Sequence, residues 1–280
     1  MIKNIAVSTA LALVLTSMPS LAFYEPYKDI QNNPYRLRLG VDVYNRDVRW
    51  TPPAWPAGAP RPEEDGTFMG IRAGYDFQAD NRLYVGVEGR WSKGDASSSL
   101  GDTDNVFHTL EARIGHSISM APRLGHLISF YLGLGLSGWT RDAKDVSAPE
   151  EDHDWVYVGA GVRGERTINR YLRVGFNAKI MFPVDSDVEV KLLQPDGRRR
   201  TVDTEFGERV QFEFEVPIEY KAALGPFDAL RIVPYYYNTS FDAGDDVSLR
   251  NQTGEEVGRF SLQDTDIDAW GATIEAVSRF

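Results

Sequence analysis

Two short stretches carry side chains of the right types and spacing for hydrolytic chemistry: Asp102-Thr103-Asp104 and Asp152-His153-Asp154. Paired carboxylates facing a His–acid pair could activate a water, the imidazole taking its proton while the carboxylates orient it. Asp102, Asp104, Asp152 and His153 are therefore the catalytic candidates, with Glu151 or Asp152 as the acid beside the imidazole. The plainer reading makes them solvated loop acids and a surface histidine. No glycine-rich phosphate cradle, zinc-type cluster or nucleophile elbow is present, so neither a cofactor nor a metal is expected.

Whether such residues can meet depends on the elements that carry them. Residues 1–22 read as a secretory signal peptide, with Lys3, an apolar run and small residues before a cut after Ala22. That leaves 23–280 as one exported domain. It has no cysteine for lipid attachment or disulfides. With 30 Lys+Arg against 41 Asp+Glu, the chain is no candidate for nucleic acid.

Ten segments alternate apolar and polar residues over the length of a tilted membrane strand. They fall at about 35–45, 67–78, 82–91, 106–118, 127–139, 155–166, 171–182, 209–222, 229–241 and 266–280. In 209–222, Phe212, Phe214, Val216, Ile218 and Tyr220 oppose Glu213, Glu215 and Glu219. Connections after even-numbered segments are short. Those after odd-numbered ones are long and rich in Pro, Gly, Ser and Asp. This pattern predicts an all-β, transmembrane, antiparallel up-and-down β-barrel of ten strands, with five long extracellular loops. Eight or twelve strands are the alternatives, and twelve would drag Asp and Arg through lipid. Phe280 then sits on the lipid-facing side of the closing strand, and all six tryptophans fall near the loop-side strand ends.

The leader, the alternating strands and the terminal aromatic resemble the Gram-negative outer-membrane β-barrel class. The resemblance is architectural, covers 23–280 and fixes no narrower family. It implies an outer-membrane location, contact with outer-membrane lipid and lipopolysaccharide, insertion by the barrel-assembly machinery, and a monomer. The rim acids and His153 are in addition similar to the omptin proteases, which are also ten-stranded. Here, however, the histidine lies in the third loop rather than the fourth, and its acid stands at altered spacing.

The faces turned from lipid carry Arg36, Arg38, Glu88, Arg90, Glu111, Arg113, Arg163, Arg173, Lys179, Glu213, Glu215, Glu219, Arg231 and Glu275. Buried charges persist only when paired. The expectation is a salt-bridge core with inward glycines making room for long arms, and closure bringing Glu275 to Arg36 or Arg38. Ten strands lie near the side-chain-filled end of barrel sizes. The expected role is at the cell surface, in envelope integrity or in ligand or partner binding through acidic loops. A narrow channel and a rim protease are the alternatives.

Overall fold

In a computed structural model of the chain, residues 34–51, 62–78, 82–98, 101–121, 126–144, 149–193, 199–244, 247–250 and 256–280 are described. The expected leader and Trp55 lie outside them. The elements among the described residues are strands. They are β1 (Tyr35–Thr51), β2 (Glu63–Gln78), β3 (Leu83–Ser98), β4 (Gly101–Ala121) and β5 (His126–Ala143). β6 (Glu150–Thr167), β7 (Leu172–Leu193), β8 (Arg199–Thr204), β9 (Gly207–Glu208) and β10 (Gln211–Glu215) follow. β11 (Ile218–Leu224), β12 (Phe227–Asp242), β13 (Val247–Arg250), β14 (Glu256–Phe260) and β15 (Asp264–Arg279) complete the chain.

Strands β1 to β7 pair antiparallel in chain order, β12 pairs with β15, and β15 returns to β1. Between β7 and β12 lies one stave made of β10 and β11. Pro217 interrupts it because proline has no N–H for the ladder. Its carbonyl still accepts from Gly175 N–H at 2.8 Å, and Val216 N–H donates to the Pro234 carbonyl at 2.9 Å. The sheet therefore closes as a ten-strand antiparallel barrel. At the seam Gly40 faces Glu275, while Tyr35 and Phe280 exchange two N–H···O=C bonds of 3.2 Å. β8 pairs antiparallel with the far end of β7, and among the described residues β13 pairs with β14 alone.

Burial is inverted relative to a water-soluble sandwich. Arg38 is 2% exposed and Glu275 0%, whereas Met69 is 67% and Leu132 65% exposed. Only a wall bathed in lipid makes that arrangement stable, because the apolar surface needs an apolar solvent and the charges need one another. The apolar belt ends in aromatics at both edges. Tyr35 packs on Phe77 and Phe280 at 5.0 and 5.7 Å, and Tyr171 stacks on Tyr220 at 6.0 Å, on the short-turn side. Trp91 and Trp270 stand outward on the loop side. Trp139 and Trp155 do not join them: both lie at loop-side strand ends as expected, but are buried inside the barrel.

The strands also run farther than expected. They reach 22 residues in β7, where lipid requires about 9–11. The second loop is mostly strand, with β3 and β4 paired as far as Ser98 opposite Gly101. Backbone N–H and C=O groups still need partners beyond the membrane, and the ladder supplies them. A taller wall results. Inside it, the glycines admit rings as well as arms: Gly135 lies opposite Tyr157 and Gly161 opposite Tyr131. A Cβ at either glycine would overlap the facing phenol ring.

Candidate functional site

The interior is organised in tiers. Nearest the short turns, Arg36 pairs with Glu165 at 2.7 Å, and Arg173 reaches Glu165 and Glu219 at 3.7 and 3.6 Å. Arg163 pairs with Glu165 and lies 3.4 Å from Asp76, while Arg279 pairs with Glu219. Above them Glu88 is surrounded by Arg38, Arg72, Arg90 and Arg113 at 3.1, 2.9, 2.9 and 3.5 Å. Arg38 also reaches Asp76 and Glu275 at 3.1 and 3.3 Å, and Arg231 holds Glu275 at 2.8 Å. Arg72 and Arg90 reach Glu215 at 2.6 and 2.9 Å. Arg90 and Lys179 hold Glu213, and Lys179 and Arg113 hold Glu111, which also accepts from the Tyr157 hydroxyl. Every lumen charge named from the sequence thus lies in one connected lattice, and Glu275 meets Arg38 across the seam.

Above the lattice an aromatic tier crosses the barrel. Phe107, Trp139, His153, Phe206 and Phe241 stack in sequence, with centroids 5.5, 4.5, 5.0 and 4.6 Å apart. Trp139 Nε1 donates to Asn105 at 2.7 Å. Over this floor Glu64 accepts from Thr103, Asn105 and Arg141 at 2.6, 3.2 and 2.9 Å. Arg141 lies 3.6 Å from Glu151, whose carboxylate is 3.1 Å from His153 Nε2. Burial pushes the Glu151 carboxyl up, but the His153 hydrogen bond and the Arg141 charge outweigh it and hold the group below its ordinary range. Of these, Thr103, Trp139, Arg141, Glu151, His153 and Phe206 line a vestibule of about 240 Å³. Sequence reasoning missed Glu64 and Arg141 because the expected segments stopped short of them.

The hydrolytic constellation is not assembled. Asp102 and Asp104 alternate with the buried Thr103 and Asn105, so they leave β4 on its outer face. Asp152 and Asp154 likewise flank the buried His153 on β6. The whole of β5 separates the two strands. His153 is not a surface histidine: it is 2% exposed and sits between Trp139 and Phe206. Its acid is Glu151 rather than Asp152. Asp154 lies on the outer wall, 3.8 Å from His108, with Gly138 between them in register.

That outer wall carries carboxylates in directly opposed rows. Asp104 faces Asp95 on one side and Asp142 on the other. Asp47 faces Asp268 and Asp65, and Asp154 faces Asp187. Lys144 answers part of the first row, 3.5 Å from Asp95 and 3.3 Å from Asp104. Burial, then the Glu63, Asp65 and Asp268 carboxylates, push the Asp47 carboxyl above its ordinary range, with Arg49 opposing. A raised folded-state value means that charge on Asp47 opposes folding above that value, and the penalty is relieved as pH falls through it. Asp47→Asn is accordingly expected to stabilise the barrel by about 0.5 kcal/mol near neutral pH. Urea midpoints of both proteins should converge in acid. A variant less stable at neutral pH would contradict this account.

A closed antiparallel barrel with an apolar outer belt, aromatic edges and a charged, filled interior defines a membrane-spanning β-barrel protein. The family model described as "Outer membrane protein beta-barrel domain" matches residues 8–194, and the chain belongs to that family. No curated protein matches it. Among solved structures, the outer membrane protease OmpT of Escherichia coli is similar, with 11% identity over 94% of this chain and 100% of that one, at a TM-score of 0.54. OprG of Pseudomonas aeruginosa shares 8% identity over 88% of this chain and 96% of that one, at a TM-score of 0.35. Ail, the attachment invasion locus protein of Yersinia pestis, shares 9% over 86% and 97%, at 0.31. At such identities the likeness to OmpT concerns fold alone. Family membership implies an outer-membrane location.

Proposed function

We propose that the chain works at the cell surface as a non-conducting barrel that docks a cationic partner on the acidic wall above the lipid. The observation that carries this reading is the set of opposed carboxylate rows on β15–β1–β2, β3–β4–β5 and β6–β7. Like charges placed directly opposite one another cost stability. A surface that bears that cost gains a concentrated negative field, which steers and holds cations. The barrel places these rows on rigid strands rather than on loops, so a partner meets a fixed array. The lattice around Glu88 and Glu213 supports the closed reading, because it bridges the lumen from wall to wall. Outer-membrane lipid would meet the apolar belt, and lipopolysaccharide would surround the acidic wall above it.

The test uses the full barrel refolded into vesicles of uncharged phosphatidylcholine, with an oligolysine peptide as the probe. Binding should weaken about tenfold or more when salt is raised, and also on replacing Asp95, Asp104 and Asp142 with Asn. The same preparation should show no conductance steps in a planar bilayer. Salt-independent binding, binding unchanged in the triple variant, or reproducible steps would each defeat the proposal.

A further inference from the structure

Between the charge lattice and the aromatic tier lies a cavity of about 90 Å³. Three buried side chains on its wall have polar hydrogens with no acceptor among the described residues: Arg46 through Nε and Nη1, Gln211 through Nε2 and Trp155 through Nε1. They are 3%, 1% and 7% exposed. Each unmade hydrogen bond in such a place costs on the order of 1–3 kcal/mol, and more for a charged group. Among the described residues Arg46 is the anomaly of the lumen cations, because its guanidinium lies over the Phe107 ring and near Trp139 and Tyr237 and meets no described carboxylate.

The carboxylates that share this cavity are already engaged. Asp42 accepts the Tyr235 hydroxyl hydrogen, shared between its two oxygens at 2.8 and 2.9 Å, and a bond from Thr273 at 3.2 Å. Glu111 and Glu213 are held by Lys179, and Glu88 by its arginines. The lining as a whole is balanced in charge, so the deficit is local: among the described residues, Arg46, Gln211 and Trp155 meet neither a carboxylate nor another acceptor. Phe107, Met181 and Tyr237 give it apolar walls as well.

We propose that this cavity binds a small organic monocarboxylate. Its carboxylate takes the donors of Arg46, Gln211 and Trp155, and its short apolar body lies against Met181 and Tyr237. A carboxylate supplies charge and acceptors together to these three donors, whereas a water offers Arg46 no charge. A compact anion without an apolar part would leave the aromatic and thioether walls uncovered. The site is separate from the acidic wall and stands whether or not that wall docks a cationic partner.

The experiment titrates the refolded full-length barrel in uncharged detergent with sodium benzoate, followed by calorimetry. Benzamide serves as the neutral isostere and sodium phosphate as the general anion. Saturable binding of benzoate at one site is expected, with at least tenfold weaker binding of both comparators. Gln211→Leu should weaken benzoate about tenfold, and Arg46→Met should abolish it while heat-shifted gel migration shows an intact barrel. Absence of saturable benzoate binding, equal binding of benzamide or phosphate, or an unchanged affinity in Arg46→Met would overturn the proposal. Should Arg46→Met not fold, Gln211→Leu decides: unchanged affinity there is equally fatal.

Discussion

Glu88→Ala is expected to destabilise the barrel by about 3–5 kcal/mol, the cost of removing one partner from a buried ion pair. Glu88 is 3% exposed and holds four guanidinium groups within 3.5 Å, those of Arg38, Arg72, Arg90 and Arg113. Arg72 and Arg90 keep Glu215, Arg113 keeps Glu111, and Arg38 keeps Asp76. The lattice would therefore survive in part, but four like charges would face one another across the vacated space. Lipid on the outside gives them no escape through the wall. Urea unfolding from detergent micelles reads the loss directly. A second variant separates charge from packing: Glu88→Gln keeps the volume and two acceptor lone pairs yet loses the charge, and it should fall between the wild type and alanine. A loss below about 1 kcal/mol for Glu88→Ala would mean that water already screens these groups as it does surface pairs, and the closed-lumen reading would fail with it.

The same lattice shows why so much of this interior could be read from the chain. Within the lipid-spanning stretch each residue has only two destinations, and hydropathy separates them: Leu39, Val41 and Val43 outward, Arg38 and Asp42 inward. Once parity is known, closure follows from the charges, with Glu275 beside Arg38. Above the lipid that filter disappears. Both faces of a strand are wet or polar there, so alternation fades while backbone pairing continues, and Arg46, Glu64 and Arg141 fall beyond the segments that alternation marks. Parity alone recovers part of the loss. Trp139 is in step with Gly133 and Gly135, and Trp155 with Tyr157, so counting by twos places both indoles inside. The same count puts His153 inward and Asp102 and Asp104 outward, so strand parity by itself keeps the hydrolytic residues apart. The pairing of Glu151 with His153 is two residues along one strand and equally legible. Which cations lack an acid is not: the isolation of Arg46 depends on distances across the barrel that no local pattern encodes.

Trp139→Ala is expected to cost about 3–5 kcal/mol, as for removal of a large buried aromatic. Trp139 is 1% exposed and is the largest ring of the tier, stacked on Phe107 at 5.5 Å and on His153 at 4.5 Å. Its indole N–H holds Asn105, which in turn donates to Glu64, so its loss releases a polar contact as well as packing. Trp139→Phe separates the two contributions. It should retain most of the stacking and lose about 1 kcal/mol for the missing hydrogen bond plus a smaller packing deficit. The pair of variants also tests which part of the molecule unfolds as a unit. If the tier above the membrane folds together with the lattice, tryptophan fluorescence and heat-shifted migration will shift to lower urea by the same amount in Trp139→Ala. Should fluorescence change well before migration does, the upper wall melts separately from the lipid-embedded barrel. The stability contributed by Trp139 would then belong to the crown alone and not to the whole molecule.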